Sequence, residues 1–291
     1  MKNNELYVDI GGGVRYFLVE RYDGTTKSKK AVLLVHGVAD GHIGLDLRIK
    51  DYSVIDYLAE RNFVVYAPDL RGFGKSTITS GTDVRIENCA EDLKKVADFI
   101  KDRLKINNIQ LAGFSFGAQV AMAYAAKYPD DINRLALICP VYRDVGDAMK
   151  NIMLPTMLDL INKGQGYYPN PTEISSFGIS LRSAEDEVLR LYSSLKSYCP
   201  NNPTGPILGA VQGEDGTLPT DCYIPQIKVP TLLIAAANDD IAPAKNAKLL
   251  YQDLGTPDKK MVVIPNASHT LSLEIEGHIA MQEALVDWLK G

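Results

Sequence analysis

Little in this sequence of 291 residues points to covalent staples, bound ions or polyanionic partners. The four cysteines, Cys89, Cys139, Cys199 and Cys222, fall at irregular spacings without a CxxC pair. That excludes a disulfide scaffold and leaves free thiols as the expectation. Cys139 ends an apolar run and should be buried, and a catalytic role for it would need a base that the sequence does not place beside it. No HExxH or paired Cys/His spacing offers a metal site, and no GxGxxG marks a dinucleotide, so neither metal nor cofactor is expected. Lys and Arg number 31 against 36 Asp and Glu, a formal charge of −5, so no basic field exists to hold nucleic acid. Apolar runs stop short of the roughly 20 residues of a membrane span, and the opening Met-Lys-Asn-Asn-Glu-Leu lacks the apolar stretch of a signal peptide. A soluble, cytoplasmic protein with a small-molecule substrate is expected.

What is present is a core. Hydrophobic residues make up 46% of the chain and charged residues 23%, the balance of a globular protein. Residues 6–10 and 14–22, separated by Gly11-Gly12-Gly13, read as an antiparallel hairpin. Short β-branched runs follow at 31–35, 63–67, 109–113 and 134–139, near-continuous as in parallel strands buried on both faces. Helical patterns at 52–61, 83–104 and 116–127 lie between them, and this alternation predicts a doubly wound sheet. The pattern breaks from Tyr142 to Gln226. There a helix over 148–162 contains Pro155, and a second over 183–198 opens on the capping signature Ser183-Ala-Glu-Asp186. Alternation resumes with strands at 231–235 and 260–264 and helices at 242–254 and 272–290. Neither half alone completes a sheet. The division is therefore a core over 1–141 and 227–291, interrupted by a largely helical cap over 142–226.

Gly113-Phe-Ser-Phe-Gly117 matches G-x-S-x-G between a buried strand and an Ala-rich helix, which makes Ser115 the candidate nucleophile. A sharp strand-to-helix turn needs small residues on both sides of the serine. The helix N-terminus beyond it supplies unpaired N–H groups to an oxyanion. Of four histidines, His269 alone follows the last strand in a loop and precedes the final helix, so it is the candidate base. His278 lies within that helix and should pack or face solvent, while His42 sits in the loop after residue 38 and could touch substrate.

His36-Gly37 after the first parallel strand, Pro68-Asp-Leu-Arg-Gly-Phe-Gly-Lys-Ser76 after the second and Gly-Phe-Ser-Phe-Gly after the third resemble the α/β-hydrolase superfamily. The resemblance covers residues 5–290 outside the cap, and the order Ser, Asp, His agrees with it. It implies an oxyanion hole from the backbone N–H groups of Val38 and Phe116, with Ala39 an alternative to Val38. It also implies a triad acid in Asn238-Asp-Asp-Ile-Ala-Pro243, where the pattern D-x-I-x-P selects Asp239 and leaves Asp240 as its neighbour in a turn. By the same resemblance His36, Asp69 and Arg71 are structural.

A neutral imidazole at His269 would take the Ser115 proton, and Asp239 would fix its tautomer. Esters and thioesters need less leaving-group assistance than amides, and His-Gly-Val lacks the His-Gly-Gly-Pro of proline aminopeptidases. A carboxylic ester or thioester hydrolase forming an acyl-enzyme is the expectation, with an acyltransferase, a C–C bond hydrolase or a non-catalytic sensor on the same fold as rivals. Cap residues including Met149, Met153, Met157, Phe177, Tyr192 and Tyr198 should line an apolar pocket or pack the cap, and His42, Met153, Met157 and Tyr192 are the candidate substrate contacts.

Overall fold

The computed structural model describes residues 1–24, 30–170, 181–213 and 217–291. Strands β1 (Lys2–Gly11) and β2 (Val14–Tyr22) form the expected hairpin, and β2 pairs antiparallel with β4 (Val64–Pro68). From there β3 (Ala31–Val35), β5 (Ile109–Phe114), β6 (Ile132–Ile138), β9 (Thr231–Ala236) and β10 (Lys259–Ile264) continue in parallel. The eight-stranded order is β1-β2-β4-β3-β5-β6-β9-β10. Alternate residues of each central strand enter opposite cores. Leu33, Leu111 and Leu233 pack on the side of α2 (Ile86–Leu104), α3 (Phe116–Lys127) and α6 (Ala244–Asp253). Val32, Ala112 and Ile234 pack on the side of α1 (Val54–Ala59) and α7 (Ile275–Lys290). Burial on both faces explains why these strands read as unbroken apolar runs.

From β3 the chain goes to β4 on one side and then crosses back to β5 on the other, so a crevice opens at the carboxyl ends of β3 and β5. The loop beginning at His36 and the turn bearing Ser115 both emerge there. Between β6 and β9 the chain forms α4 (Leu154–Asn162), α5 (Asp186–Leu195) and an antiparallel pair, β7 (Tyr167–Pro169) with β8 (Asn201–Pro203). Pro155 divides its helical stretch as expected. Residues 149–153 form a wider π-type turn, and α4 begins beyond it with the proline in its first turn, where the missing N–H costs nothing. Phe177 lies outside the described residues.

The second helix corrects the capping expectation. It starts at Asp186 with Glu185 as its N-cap, and the Ser183 hydroxyl caps nothing. The Ser183 carbonyl instead accepts the Ile275 N–H at 3.0 Å while Ala184 bridges Glu274. A tertiary backbone pairing has replaced the local cap.

The expected structural role of Arg71 is visible as a fork on Asp92, a residue of α2. Nε and Nη2 donate to the two carboxylate oxygens at 2.6 and 2.7 Å, and the buried Tyr16 hydroxyl donates to the same carboxylate at 2.8 Å. Asp92→Ala would strand both donors, so it should lower unfolding free energy by about 3 kcal/mol. Urea denaturation would show a lower midpoint at unchanged slope, and a loss below about 0.5 kcal/mol would mean that the fork contributes no more than an exposed ion pair.

Candidate active site

The tip between β5 and α3 is built from close approach. A Cβ on Gly117 would lie 2.4 Å from the carbonyl oxygens of Val35 and His36, and one on Gly113 would lie 2.2 Å from that of Gly117. Only hydrogen fits at either position, so helix and strand can meet at this turn. Ser115 consequently takes φ 53°, ψ −116°, uncommon for a residue with a side chain, and its N–H is tied to the Ile138 carbonyl at 2.9 Å.

Three elements converge on this hydroxyl. His269, in the loop after β10, places Nε2 2.9 Å from Ser115 Oγ. Its Nδ1 lies 2.9 and 3.0 Å from the two carboxylate oxygens of Asp239, in the loop after β9. An acidic partner at Nδ1 favours the tautomer with hydrogen there, leaving Nε2 as the acceptor facing serine. The Ile241 and Ala242 N–H groups donate to Asp239 Oδ1 at 2.8 and 2.7 Å, which anchors the carboxylate through that oxygen. Of the two adjacent aspartates it is Asp239 whose carboxylate meets His269, while Asp240 gives its backbone carbonyl to the Ala148 N–H at 3.2 Å.

A cavity opens over Ser115 with about 710 Å³ of unfilled space, mouth included. Val38, Phe116, Met153 and Tyr192 line it together with Ser115 and His269. His42 and Met157 are not brought there. His42 turns to Asp69 beneath the loop, with Nδ1 at 2.8 Å from Oδ1, and Met157 packs in a cluster with Val141 and Ile207. Burial favours the neutral acid at Asp69, but His42, His36 and the Tyr198 hydroxyl outweigh it and hold the carboxyl below its usual range. His36 accepts the Leu70 N–H at Nε2 and faces the Gly37 carbonyl at Nδ1, while burial pushes its pKa down. His278 is also a packing residue, stacked on Tyr52 at 3.7 Å between ring centres.

Cys139 adjoins the acid, a placement the sequence did not reveal. Its Sγ and ligand atoms of Asp239 and His269 lie within 4.8 Å of one another. Burial, reinforced by the Asp239 carboxylate, pushes the thiol well above its ordinary pKa, so it stays protonated. A protonated thiol beside already hydrogen-bonded His and Asp makes a poor metal site. Sequence reasoning also missed Asp40 and Thr270 on the cavity wall and Glu274 behind it. Glu274 is fully buried and accepts the Ser268 N–H at 2.9 Å and the Arg182 N–H at 2.7 Å, joining the His269 loop to the segment before α5.

A family model described as serine aminopeptidase, S33, matches residues 26–276. The chain belongs to this family of α/β hydrolases. The S33-family hydrolase is 24% identical over 290 residues to human monoacylglycerol lipase ABHD6, covering 91% of this chain and 79% of that one. It is 24% identical over 279 residues to a putative 2-succinyl-6-hydroxy-2,4-cyclohexadiene-1-carboxylate synthase of Bacillus subtilis, covering 92% of each. Among solved structures it resembles a thermophilic esterase from Thermogutta terrifontis with a TM-score of 0.69 at 23% identity, covering 100% of this chain and 98% of that one. No helix among the described residues is long and apolar enough to cross a membrane.

The close approach at the turn carries its own test. Gly117→Ala should destabilise the hydrolase by about 3 kcal/mol, because the new methyl group meets two backbone carbonyls that cannot rotate away. A thermal or urea midpoint equal to that of the parent would show that α3 can move off β3.

Proposed function

We propose that this hydrolase cleaves a carboxylic ester with an apolar acyl group, or the corresponding thioester, through an acyl-enzyme on Ser115. The observation that carries this reading is the continuous hydrogen-bonded chain Asp239–His269–Ser115, at 2.9 Å at each link, opening into an apolar cavity. Ser115 Oγ attacks the carbonyl carbon as its proton passes to His269 Nε2. The oxyanion accepts the N–H groups of Val38 and Phe116, worth about 3 kcal/mol each in such sites. Collapse expels the alcohol or thiol with the proton from His269. Water then gives a proton to His269 and its oxygen to the acyl carbon, releasing the acid and Ser115. Phe116 stands first in α3, where an N–H has no intrahelical partner, and Val38 N–H meets no acceptor among the described residues. Residues 142–226 serve as the cap that supplies Met149, Met153 and Ile207 to the acyl pocket.

The family description names an aminopeptidase, and the cavity argues for a different substrate. An aminopeptidase must pair the substrate ammonium with an anion. The one acidic side chain that lines this cavity among the described residues, Asp40, is already paired with Lys196 Nζ at 2.5 Å and with the Tyr192 hydroxyl at 2.6 Å. Neutral esters fit such a wall better than charged amines do.

A fluorophosphonate should label Ser115 alone, and p-nitrophenyl esters of graded chain length should be turned over faster than aminoacyl anilides. Labelling at Ser76 or Ser268, or a preference for the anilides, would overturn the reading. Ser115→Ala should abolish turnover in a folded protein. Asp239→Asn should cost about 10⁴-fold in kcat by stabilising the wrong imidazole tautomer, whereas Asp240→Asn should cost only a few-fold. Equal losses in the two would remove Asp239 from the mechanism.

A further inference from the structure

The two oxyanion donors are not equally secured. Phe116 N–H is fixed by α3 and by the close approach at Gly117. Val38 lies in an irregular loop between the end of β3 and a short turn starting at Gly41. The next residue, Ala39, has φ 97°, a conformation that costs a non-glycine residue about 1–3 kcal/mol and persists only when its surroundings enforce it. The restraints come from the inserted segment. Asn170, just after β7, donates to the Ala39 carbonyl at 2.6 Å and to the Cys199 carbonyl at 3.0 Å. The Tyr192 hydroxyl of α5 donates to Asp40 Oδ2 at 2.6 Å. Lys196, just beyond α5 and only 5% exposed, donates to Asp40 Oδ1 at 2.5 Å and to the Tyr192 oxygen at 2.6 Å. Both carboxylate oxygens of Asp40 are thus engaged, and its charge is balanced by a lysine that does not reach the cavity.

We propose that the inserted segment sets the oxyanion hole, with Asn170, Tyr192 and Lys196 gripping Ala39 and Asp40 so that the Val38 N–H is held toward Ser115. Asp40, Asn170, Tyr192 and Lys196 are then positioning residues, and the cap is required for the chemical step as well as for shaping the pocket. The inference rests on the reading of Ser115 as nucleophile and Val38 as oxyanion donor. Grip on the loop matters most when negative charge develops on the carbonyl oxygen, so its loss should fall on kcat and leave ground-state binding in the apolar pocket largely intact.

The experiment compares Tyr192→Phe, Lys196→Met, Asp40→Asn and the double variant Lys196→Met/Asp40→Asn with the parent protein. Readouts are kcat and KM on a p-nitrophenyl ester and the rate of fluorophosphonate labelling of Ser115, whose phosphoryl oxygen would enter the same hole. Tyr192→Phe keeps the ring and its packing, so it reports on the hydroxyl even if the charge variants fold poorly. The expected result is a kcat loss of several-fold for Tyr192→Phe and of about 10- to 100-fold for Lys196→Met, below the loss for deleting a donor outright. KM should stay within about twofold, labelling should slow in parallel, and the double variant should lose less than the product of the two single losses. Unchanged kcat with raised KM in the variants, or strictly multiplicative losses, would overturn the positioning role while parental labelling at Ser115 keeps the hydrolase reading intact. A parent that turns over ester but is not labelled at Ser115 would instead defeat the reading on which the inference rests.

Discussion

The contact on which the site depends is the approach of α3 to the end of β3, where Gly117 sits against the Val35 and His36 carbonyls. It fixes the angle of the turn that lifts Ser115 and brings the N-terminus of α3 beside the loop that leaves β3. A larger residue would push helix and strand apart and separate the two proposed oxyanion donors. The strain at Ser115 follows from the same contact, since a strand that turns into a helix within so few atoms leaves its apical residue no ordinary backbone conformation.

Around that fixed point the other loops are held by buried carboxylates. Asp69, fully buried at the end of β4, gathers the His42 N–H, the Lys75 N–H and the Tyr198 hydroxyl. Glu274 holds the His269 loop, and Asp239 draws in the two N–H groups that follow it. Each costs desolvation and recovers it through several donors, the condition under which a buried charge can be kept. These loops have little regular structure of their own, so fixed charges take the place that ladders of backbone hydrogen bonds take in the sheet.

The sheet was legible, and Ser115, Asp239 and His269 could be picked out for the proposed triad, because the causes are local or ordered along the chain. Unbroken apolar runs mark strands buried on both faces, and small residues flank a serine wherever a strand must turn sharply into a helix. Asp239 and His269 each follow a recognisable strand, β9 and β10. Where sequence reading failed, the deciding partner was remote. Ser183 carries the letters of a helix cap, yet pairing with the stretch before α7 took its backbone first. His42 stands in the right loop, but Asp69 lies beneath it and turns the ring away from the cavity. Asp40 looks like any acidic loop residue until Tyr192 and Lys196, more than 150 positions later, are folded onto it.

The same remoteness bears on how the inserted segment relates to the core. It carries no catalytic motif, and its sequence reads as a largely helical cap. Yet it reaches the core at two carboxylates on either side of Ser115, the half-buried Asp40 in the loop after β3 and the fully buried Glu274 beyond the His269 loop. A cover attached only by apolar packing could slide over the pocket at little cost. One that must also satisfy Asp40 and Glu274 is restricted to a narrow set of positions, because sliding would strip donors from the half-buried Asp40 and from Glu274, which is fully buried and would be left an unpaired charge. On the proposed ester chemistry, selectivity for the acyl chain can therefore drift through residues such as Met149, Met153 and Ile207, whereas the polar anchors are tied to the proposed oxyanion geometry.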